Sequence, residues 1–289
     1  MPRATWTIVL CAVVMGLGCE KFFTSPDRPV APSIARSLAP AIPADSLIVE
    51  SVLLERPIGD VFLDRDLWTS TLPVGSPEIR SLLAENGIRA GILTGNLPTQ
   101  FQTMLDNKAD VVAPPLMWTF NNRKETVIPT AGPIEECTFD MLPDLAGKPE
   151  SVSLKKARCG VLVRPQSLGE GRVKVWCEPQ IQHGSRQDRF RPSEDGTQFT
   201  KFEEVPTEKY PALGFEVLLR PEECLVIGCI ADQQETLGAV LFGVEANGHP
   251  RQRLLAIRAR VVNISPTADL PAIAPPGRRP ALVQALPGK

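Results

Sequence analysis

The second half of the chain is a succession of short extended runs, and this pattern constrains the fold more than any other feature. Helical periodicity disappears from Ala109 onward, and Pro, Gly or Asn residues separate one run from the next. Strands at this spacing predict an antiparallel sheet or sandwich. The runs are DVVAPPLMWTF, KETVIPTA, SVSLKKARCGVLVRP, GRVKVWCEP, GFEVLLRP, ECLVIGCIADQ, GAVLFGVEA and RQRLLAIRARVV.

A hairpin around 168–171 gives the clearest local signal in this region. Its return strand alternates two sets of side chains, which an extended backbone places on opposite faces. One face is therefore expected to be buried and the other to face solvent. The buried set is Val173, Val175 and Cys177, and the second set is Arg172, Lys174 and Trp176.

Residues 46–107 have a mixed pattern of strands and helices. A strand is predicted over 46–55 and another from Ile88, and helical spacing is found over 60–68 and 97–105. The helix in SPEIRSLLAENG has both ends marked, with Ser76 as N-cap and Gly87 as the C-terminal stop. We therefore predict an α+β fold, with a small N-terminal α+β module followed by a β-rich antiparallel module over 108–263.

Both ends of the chain are rich in Pro and Ala. The chain contains 29 prolines, and residues 24–45 and 264–289 show no sustained period. Such composition predicts extended, poorly ordered segments. We interpret 19–45 as a tether and 264–289 as a disordered tail.

The N-terminus has the composition of an export signal. Arg3 precedes the apolar stretch ATWTIVLCAVVMGLG, which is shorter than a membrane-spanning helix. The segment Gly16-Leu17-Gly18-Cys19 resembles the lipobox of bacterial lipoproteins, although the family usually has an aliphatic residue at the place of Gly16. The resemblance implies that 1–18 is a signal peptide, that Cys19 is the acylated first residue, and that a lipid anchor binds the membrane. The alternative is an ordinary signal peptide with a cysteine near its cleavage site.

The residue after Cys19 bears on the subcellular localisation of the protein. Position 20 is Glu and not Asp, so the inner-membrane retention signal of some bacterial lipoproteins is absent. We therefore expect the cell envelope, with the periplasmic face of the outer membrane favoured.

Three segments between 155 and 263 resemble the β-core of the secretin C-terminal domain, in the order found in that family. They are GVLVRPQSLGEGRVKVWCEPQI, GFEVLLRPEECLVIGCIADQQ and RQRLLAIRARVV. The resemblance implies that the strands at 172–178, 215–220 and 254–262 share one sheet. Cys229 replaces the second Gly of the family's pair, the closing Thr-Pro is absent, and the polar stretch 182–209 does not suit a lipid-facing hairpin.

Residues with catalytic or metal-binding chemistry are few, and no catalytic, cofactor or metal site is predicted. His183 and His249 each lie in a polar, Gly-flanked loop, and no nucleophile-elbow, zinc-protease or phosphate-loop motif is found. Five cysteines follow Cys19. We interpret most of them as small buried hydrophobic side chains, with a disulfide at Cys137 as the alternative. They are Cys137, Cys159, Cys177, Cys224 and Cys229.

The net charge of -2 gives no basic surface for nucleic acid, so none is expected as a partner. Our leading hypothesis is a non-enzymatic, lipid-anchored envelope protein with a structural or protein-binding role, such as an accessory of a secretion or pilus assembly, compatible with an oligomer. A second hypothesis is a periplasmic hydrolase or small-ligand binder with His183 or His249 beside a carboxylate. A third is a lineage-specific lipoprotein without secretin kinship.

Overall fold

The structure is a computed structural model that describes residues 46–112, 115–120, 125–193 and 197–261. The proposed signal peptide, Cys19, the tether over 19–45 and the tail over 264–289 lie outside the described residues. Among the described residues, no helix is both long enough and apolar enough to cross a membrane.

Most described residues lie in fourteen β-strands, and helices are short. The strands are β1 Leu47–Pro57, β2 Thr71–Pro73, β3 Ile88–Leu93, β4 Leu116–Phe120, β5 Thr126–Met141, β6 Glu150–Gly169, β7 Arg172–Gln182, β8 Gln187–Pro192, β9 Phe199–Glu204, β10 Thr207–Lys209, β11 Phe215–Leu219, β12 Cys224–Cys229, β13 Gly243–Ala246 and β14 His249–Val261. The helices are a π-helical turn Phe62–Asp66, α1 Leu67–Thr69, α2 Pro77–Glu85, α3 Thr99–Asp106, a 3-10 turn Pro211–Leu213 and α4 Leu237–Phe242.

Seven strands form a large sheet in the order β2-β3-β12-β14-β1-β4, and β13 pairs with β14 beside this path. The central pair joins the two ends of the described chain, because β1 runs antiparallel to β14 from Leu47 opposite Val261 to Pro57 opposite Arg251. Another long-range pair joins β12 to β3. Strands that are close in space here are far apart in sequence.

Five strands form a small sheet in the order β10-β7-β6-β5, with β11 also paired to β7. The pairing of β6 with β7 builds the hairpin predicted from sequence. Val173, Val175 and Cys177 are fully buried in β7, whereas Arg172, Lys174 and Trp176 are half-buried. The predicted buried face is confirmed, whereas the face expected to meet solvent is half-buried.

The large sheet is buried on both faces because alternate side chains of its strands enter two different apolar clusters. Leu254 and Ala256 of β14 pack with residues of the π-helical turn, α1 and α3. Leu255 and Ile257 pack instead with side chains of the small sheet, α2 and α4. The π-helical turn, α1 and α3 therefore cover one face of the large sheet, and the small sheet packs on the other face together with α2 and α4.

The predicted fold class is wrong. The structure is mostly β with antiparallel sheets and few helices, and it has no separate α+β module at residues 46–107 among the described residues. The physical reason is the pairing just described, since β1 and β3 need β14 and β12 as neighbours to satisfy their backbone groups.

Individual elements agree with the sequence to different degrees. The capped helix is confirmed as α2, where Ser76 Oγ accepts a hydrogen bond from Ile79 N at 3.4 Å. The strand expected in GAVLFGVEA is wrong over its first half, which is α4. A short run that is apolar on all sides does not distinguish a buried helix from a buried strand.

The strand arrangement implied by the secretin resemblance is found only in part. The strand at 172–182 pairs with the strand at 215–219 in the small sheet. The strand at 249–261 belongs to the large sheet, between β12 and β1.

Candidate functional site

A cavity of about 190 Å³ lies where the small sheet meets the large sheet. Its walls are β1 and β14 on one side and the edge strand β5 on the other. The lining is mainly apolar and includes Leu53, Ile128 and Leu255. In β1 and β14 these are the side chains that face the small sheet, so the cavity continues the apolar space between the sheets.

Two buried hydroxyl groups line this cavity. Thr130 is 1% exposed, and its Oγ1 has no hydrogen-bond partner among the described residues. Ser51 is 3% exposed, and its Oγ accepts a hydrogen bond from Trp118 Nε1 at 3.4 Å, which leaves the Ser51 hydroxyl hydrogen available to donate. A buried hydroxyl without a partner is destabilising, so Thr130 is the feature that most needs an explanation.

A charged side chain, Arg253, also lines the cavity. Arg253 donates to the backbone oxygen of Thr130 at 2.7 Å through Nη1 and to Glu55 Oε2 at 3.0 Å through Nε. Arg251 forms a second ion pair with the same carboxylate, at 2.8 Å between Nε and Oε1. Two guanidinium groups therefore share one carboxylate, and this partly buried cluster carries a net positive charge.

A second cavity of about 230 Å³ lies on the helix-covered face of the large sheet. Cys224, Arg258 and Glu50 line it together with apolar side chains such as Val52 and Leu105. Burial raises the pKa of Cys224 to about 11, although Arg258 beside it acts in the opposite direction. The thiol is therefore neutral near pH 7 and a poor nucleophile.

The structure separates the two histidines. His183 follows β7 in the small sheet, and its Nε2 lies 3.3 Å from Glu208 Oε1. His249 begins β14 in the large sheet, is exposed and lies opposite Ala246. Neither histidine lines the inter-sheet cavity or the Cys224 cavity, so the structure does not bring them together at one site.

All five cysteines after Cys19 are buried and free, so the interpretation of them as buried apolar side chains is confirmed and a disulfide at Cys137 is not formed. Burial raises the pKa of Cys159 to about 12 and that of Cys229 to about 11. No group of three or more His, Cys, Asp or Glu residues that could hold a metal ion is found in the part of the chain that the structure describes.

The strands β8 and β9 form a separate two-stranded hairpin, which we call the arm. All residues of β8 are exposed, and only Phe202 of β9 is half-buried. Phe190 and Phe199 are 65% and 74% exposed. They lie on the same face, since Phe190 is opposite Lys201 and Phe199 is opposite Pro192.

Ion pairs and a ring contact stabilise the arm itself. Lys201 Nζ lies 2.8 Å from Asp188 Oδ2, and Arg186 pairs with Glu203 at 3.2 Å. On the other face, the guanidinium of Arg191 lies 5.4 Å from the ring centroid of Phe202.

Sequence reasoning missed both the cavity residues and the arm. Ser51, Thr130 and Arg253 lie in three strands separated by more than 70 residues, and no motif links them. The arm lies in the polar stretch 182–209, where its alternation of charged and aromatic residues was a usable signal for a solvated hairpin.

No known family model matches the chain, and no curated protein matches it. Among solved structures it is similar to the β-barrel of the InvG secretin domain from the NC-base of the Salmonella SPI-1 injectisome, at 12% sequence identity and a TM-score of 0.16. The match covers 75% of this chain and 59% of the other, so the chain spans less than two thirds of that neighbour's length. The likeness to a secretin domain is weak and supports no conclusion about function.

Proposed function

We propose that this protein is a non-enzymatic, lipid-anchored protein of the bacterial cell envelope that binds another protein through its arm. The observation that carries the proposal is the exposure of Phe190 and Phe199 side by side on one face of the arm. Large aromatic side chains contribute most of the binding energy at many protein interfaces, and two of them together in solvent are unfavourable unless they are covered.

The charges on the arm favour a protein over a lipid bilayer as the binding surface. Asp188 and Lys201 lie on the same face as Phe190 and flank it along the two strands. Inserting Phe190 into hydrocarbon would carry both charged groups out of water, which is costly. A protein surface with an apolar groove and a polar rim accommodates the rings and leaves the ion pair solvated.

The backbone of the arm offers a second means of binding. Within the described residues, β8 and β9 pair only with each other, so each has one edge with unpaired backbone groups. An extended segment of a partner can add to such an edge through main-chain hydrogen bonds. The arm thus combines an aromatic anchor with a free strand edge.

The proposed localisation depends on the N-terminal sequence that ends in Gly16-Leu17-Gly18-Cys19. Acylation of Cys19 would attach the folded residues to a membrane through the Pro-rich tether, and Glu20 favours the periplasmic face of the outer membrane. The three secretin-like segments motivate a secretion or pilus assembly as the setting. Because β14 lies in a different sheet from β7 and β11, we do not extend the proposal to membership of the secretins.

Photo-crosslinking in the producing bacterium tests the arm. A benzoylphenylalanine placed at Phe190 or Phe199 is expected to give one discrete adduct of defined mass. The matched control is the same probe at Leu168, which is also apolar and exposed and lies near the end of β6, beside the turn of the β6–β7 hairpin. Equal adduct yields at Leu168 and in the arm, or no adduct at either phenylalanine, would contradict the proposal. An adduct of twice the chain mass would identify the partner as a second copy.

Mass spectrometry of the mature N-terminus tests the anchor. The expected result is a chain that begins at Cys19 and carries acyl mass, and a Cys19→Ser variant that leaves the membrane fraction. A chain that begins elsewhere without acyl mass would remove the proposed localisation and leave the arm experiment unaffected.

A further inference from the structure

We infer that the cavity between the two sheets is a binding site for a small monocarboxylate, with Thr130, Ser51 and Arg253 holding its head group. This inference is independent of the proposed function of the arm. It rests on an apolar cavity of defined size, on the Thr130 hydroxyl, which has no partner among the described residues, on a Ser51 hydroxyl that keeps its hydrogen to donate, and on an excess of positive charge beside the cavity.

The size of the cavity limits the ligand. A cavity of about 190 Å³ corresponds to roughly six water volumes of about 30 Å³ each. This is smaller than the pockets of about 300–1,000 Å³ that accept drug-sized molecules. A ligand of about six non-hydrogen atoms, the size of butyrate, fills the space.

The lining separates into an apolar part and a polar part. Leu53, Ile128 and Leu255 supply apolar surface for a short hydrocarbon chain. The polar groups are contributed by Ser51 of β1, Thr130 of β5 and Arg253 of β14. A small molecule with one apolar end and one polar end matches this division.

The polar groups that remain available are hydrogen-bond donors. The Thr130 hydroxyl has no partner among the described residues, and the Ser51 hydroxyl accepts from Trp118 and keeps its hydrogen to donate. Arg253 uses Nε for Glu55 and Nη1 for the backbone of Thr130, and a guanidinium has further N–H groups. A carboxylate offers two acceptor oxygens, which suits this set of donors.

The charge of the neighbouring cluster selects an anion over a neutral molecule. Arg251 and Arg253 share the single carboxylate of Glu55, at 2.8 and 3.0 Å, so one positive charge is not balanced within the cluster. In a partly buried site this excess is felt more strongly than at the surface. An alcohol of the same size would satisfy Thr130 but would gain nothing from the charge.

Ligand binding to the solubilised full chain, followed by isothermal titration calorimetry, tests the inference with butyrate, hexanoate and n-butanol as probes. Saturable butyrate binding is expected, with a dissociation constant in the range of about 10 µM to 1 mM because the ligand is small. Butanol is expected to bind at least tenfold more weakly. The absence of saturable butyrate binding, or butanol binding as tight as butyrate, would overturn the inference.

The variant Thr130→Val removes the hydroxyl and keeps the shape of the side chain. It is expected to weaken butyrate binding by about tenfold or more, because a hydrogen bond to a charged group is lost. It should also raise the melting temperature of the free protein by about 2–4 °C, because a buried hydroxyl without a partner is removed. The matched control on the same strand is Thr138→Val, since Thr138 is exposed and donates to Ser153 Oγ at 3.3 Å.

A second variant separates the charge from the hydroxyl. Arg251→Gln removes the charge excess without altering the residues that line the cavity, so butyrate binding should weaken severalfold while any butanol binding is unchanged. Unchanged butyrate affinity in both Thr130→Val and Arg251→Gln would show that the cavity does not bind carboxylates in the way inferred.

Discussion

The hairpin of β6 and β7 and the arm of β8 and β9 follow one another in the chain and have opposite surroundings. Val173, Val175 and Cys177 of β7 have no exposed surface, and the strand has neighbours on both sides. In the arm, Phe190 and Phe199 are mostly exposed, and each strand has one neighbour. Both hairpins alternate two kinds of side chain, so alternation by itself does not decide whether a hairpin face is buried.

The difference lies in what fills the alternate positions. The buried face of β7 consists of aliphatic side chains and a cysteine without formal charge. Each face of the arm instead combines aromatic with charged side chains, for example Asp188 and Lys201 beside Phe190 and Phe199. Burial of that face in the protein core would require desolvation of an ion pair, which offsets the gain from the rings. We therefore expect the β6–β7 hairpin to determine stability and the arm to determine recognition.

The largest expected effect is that of an aspartate in the buried face. Val175→Asp places an unpaired carboxylate among apolar side chains, and we expect a loss of more than about 4 kcal/mol of unfolding free energy, enough to abolish cooperative unfolding. Phe190→Asp is the matched substitution in the middle of an arm strand and should leave the melting temperature nearly unchanged. Thermal unfolding followed by circular dichroism measures both. Similar losses in the two variants would show that the arm is also part of the core.

The second expected effect is a loss of stability at alkaline pH to which two thiols of the β6–β7 hairpin contribute. Burial raises the pKa of Cys159 to about 12 and also raises the pKa of Cys177. In the unfolded chain the pKa of a cysteine thiol is about 8.5. Above that pH the unfolded chain releases these protons and the folded chain does not, so the unfolding free energy falls as pH rises. Each thiol should contribute a loss of about 2 kcal/mol between pH 8 and pH 10.

Denaturant titrations at pH 8, 9 and 10 measure this dependence. The controls are Cys159→Ala and Cys177→Ala, which start from lower stability but should lose less of it between pH 8 and pH 10 than the parent chain does. If the unfolding free energy falls with pH equally steeply in the parent chain and in both variants, groups other than these two thiols cause the alkaline loss.

Local patterns in the sequence predict local structure well in this protein. The caps around 76–87 predict α2, and the alternation of β7 predicts its two faces, because each depends on neighbouring residues alone. The pairing of β1 with β14 joins residues about 200 positions apart. Periodicity states which side of a strand is apolar but not which strand lies beside it, and this is why the predicted N-terminal α+β module was wrong.

The same limit applies to the candidate site. Arg253 directly precedes the buried run of β14, and Thr130 lies between two prolines at Pro129 and Pro133, but neither has a feature that marks a binding residue in the sequence. Whether a hydroxyl lacks a hydrogen-bond partner depends on its three-dimensional surroundings, which local sequence does not show. The arm is different, since the charged and aromatic residues that make it unsuited to the core are adjacent in the sequence.

The smallest expected effect on stability is that of removing the two exposed rings. The double variant Phe190→Ser and Phe199→Ser should change the unfolding free energy by no more than about 0.5 kcal/mol, because the rings bury little surface in the free protein. Partner binding should nevertheless be lost, since the rings form the proposed anchor, whereas Leu168→Ser should preserve it. Denaturant unfolding measures the first quantity. The second is the yield of a crosslink from a photo-probe at Lys201, on the same face, in the double variant and in the Leu168→Ser control. A stability loss above about 2 kcal/mol, or an unchanged crosslink yield, would show that the arm and the β6–β7 hairpin do not divide recognition and stability in this way.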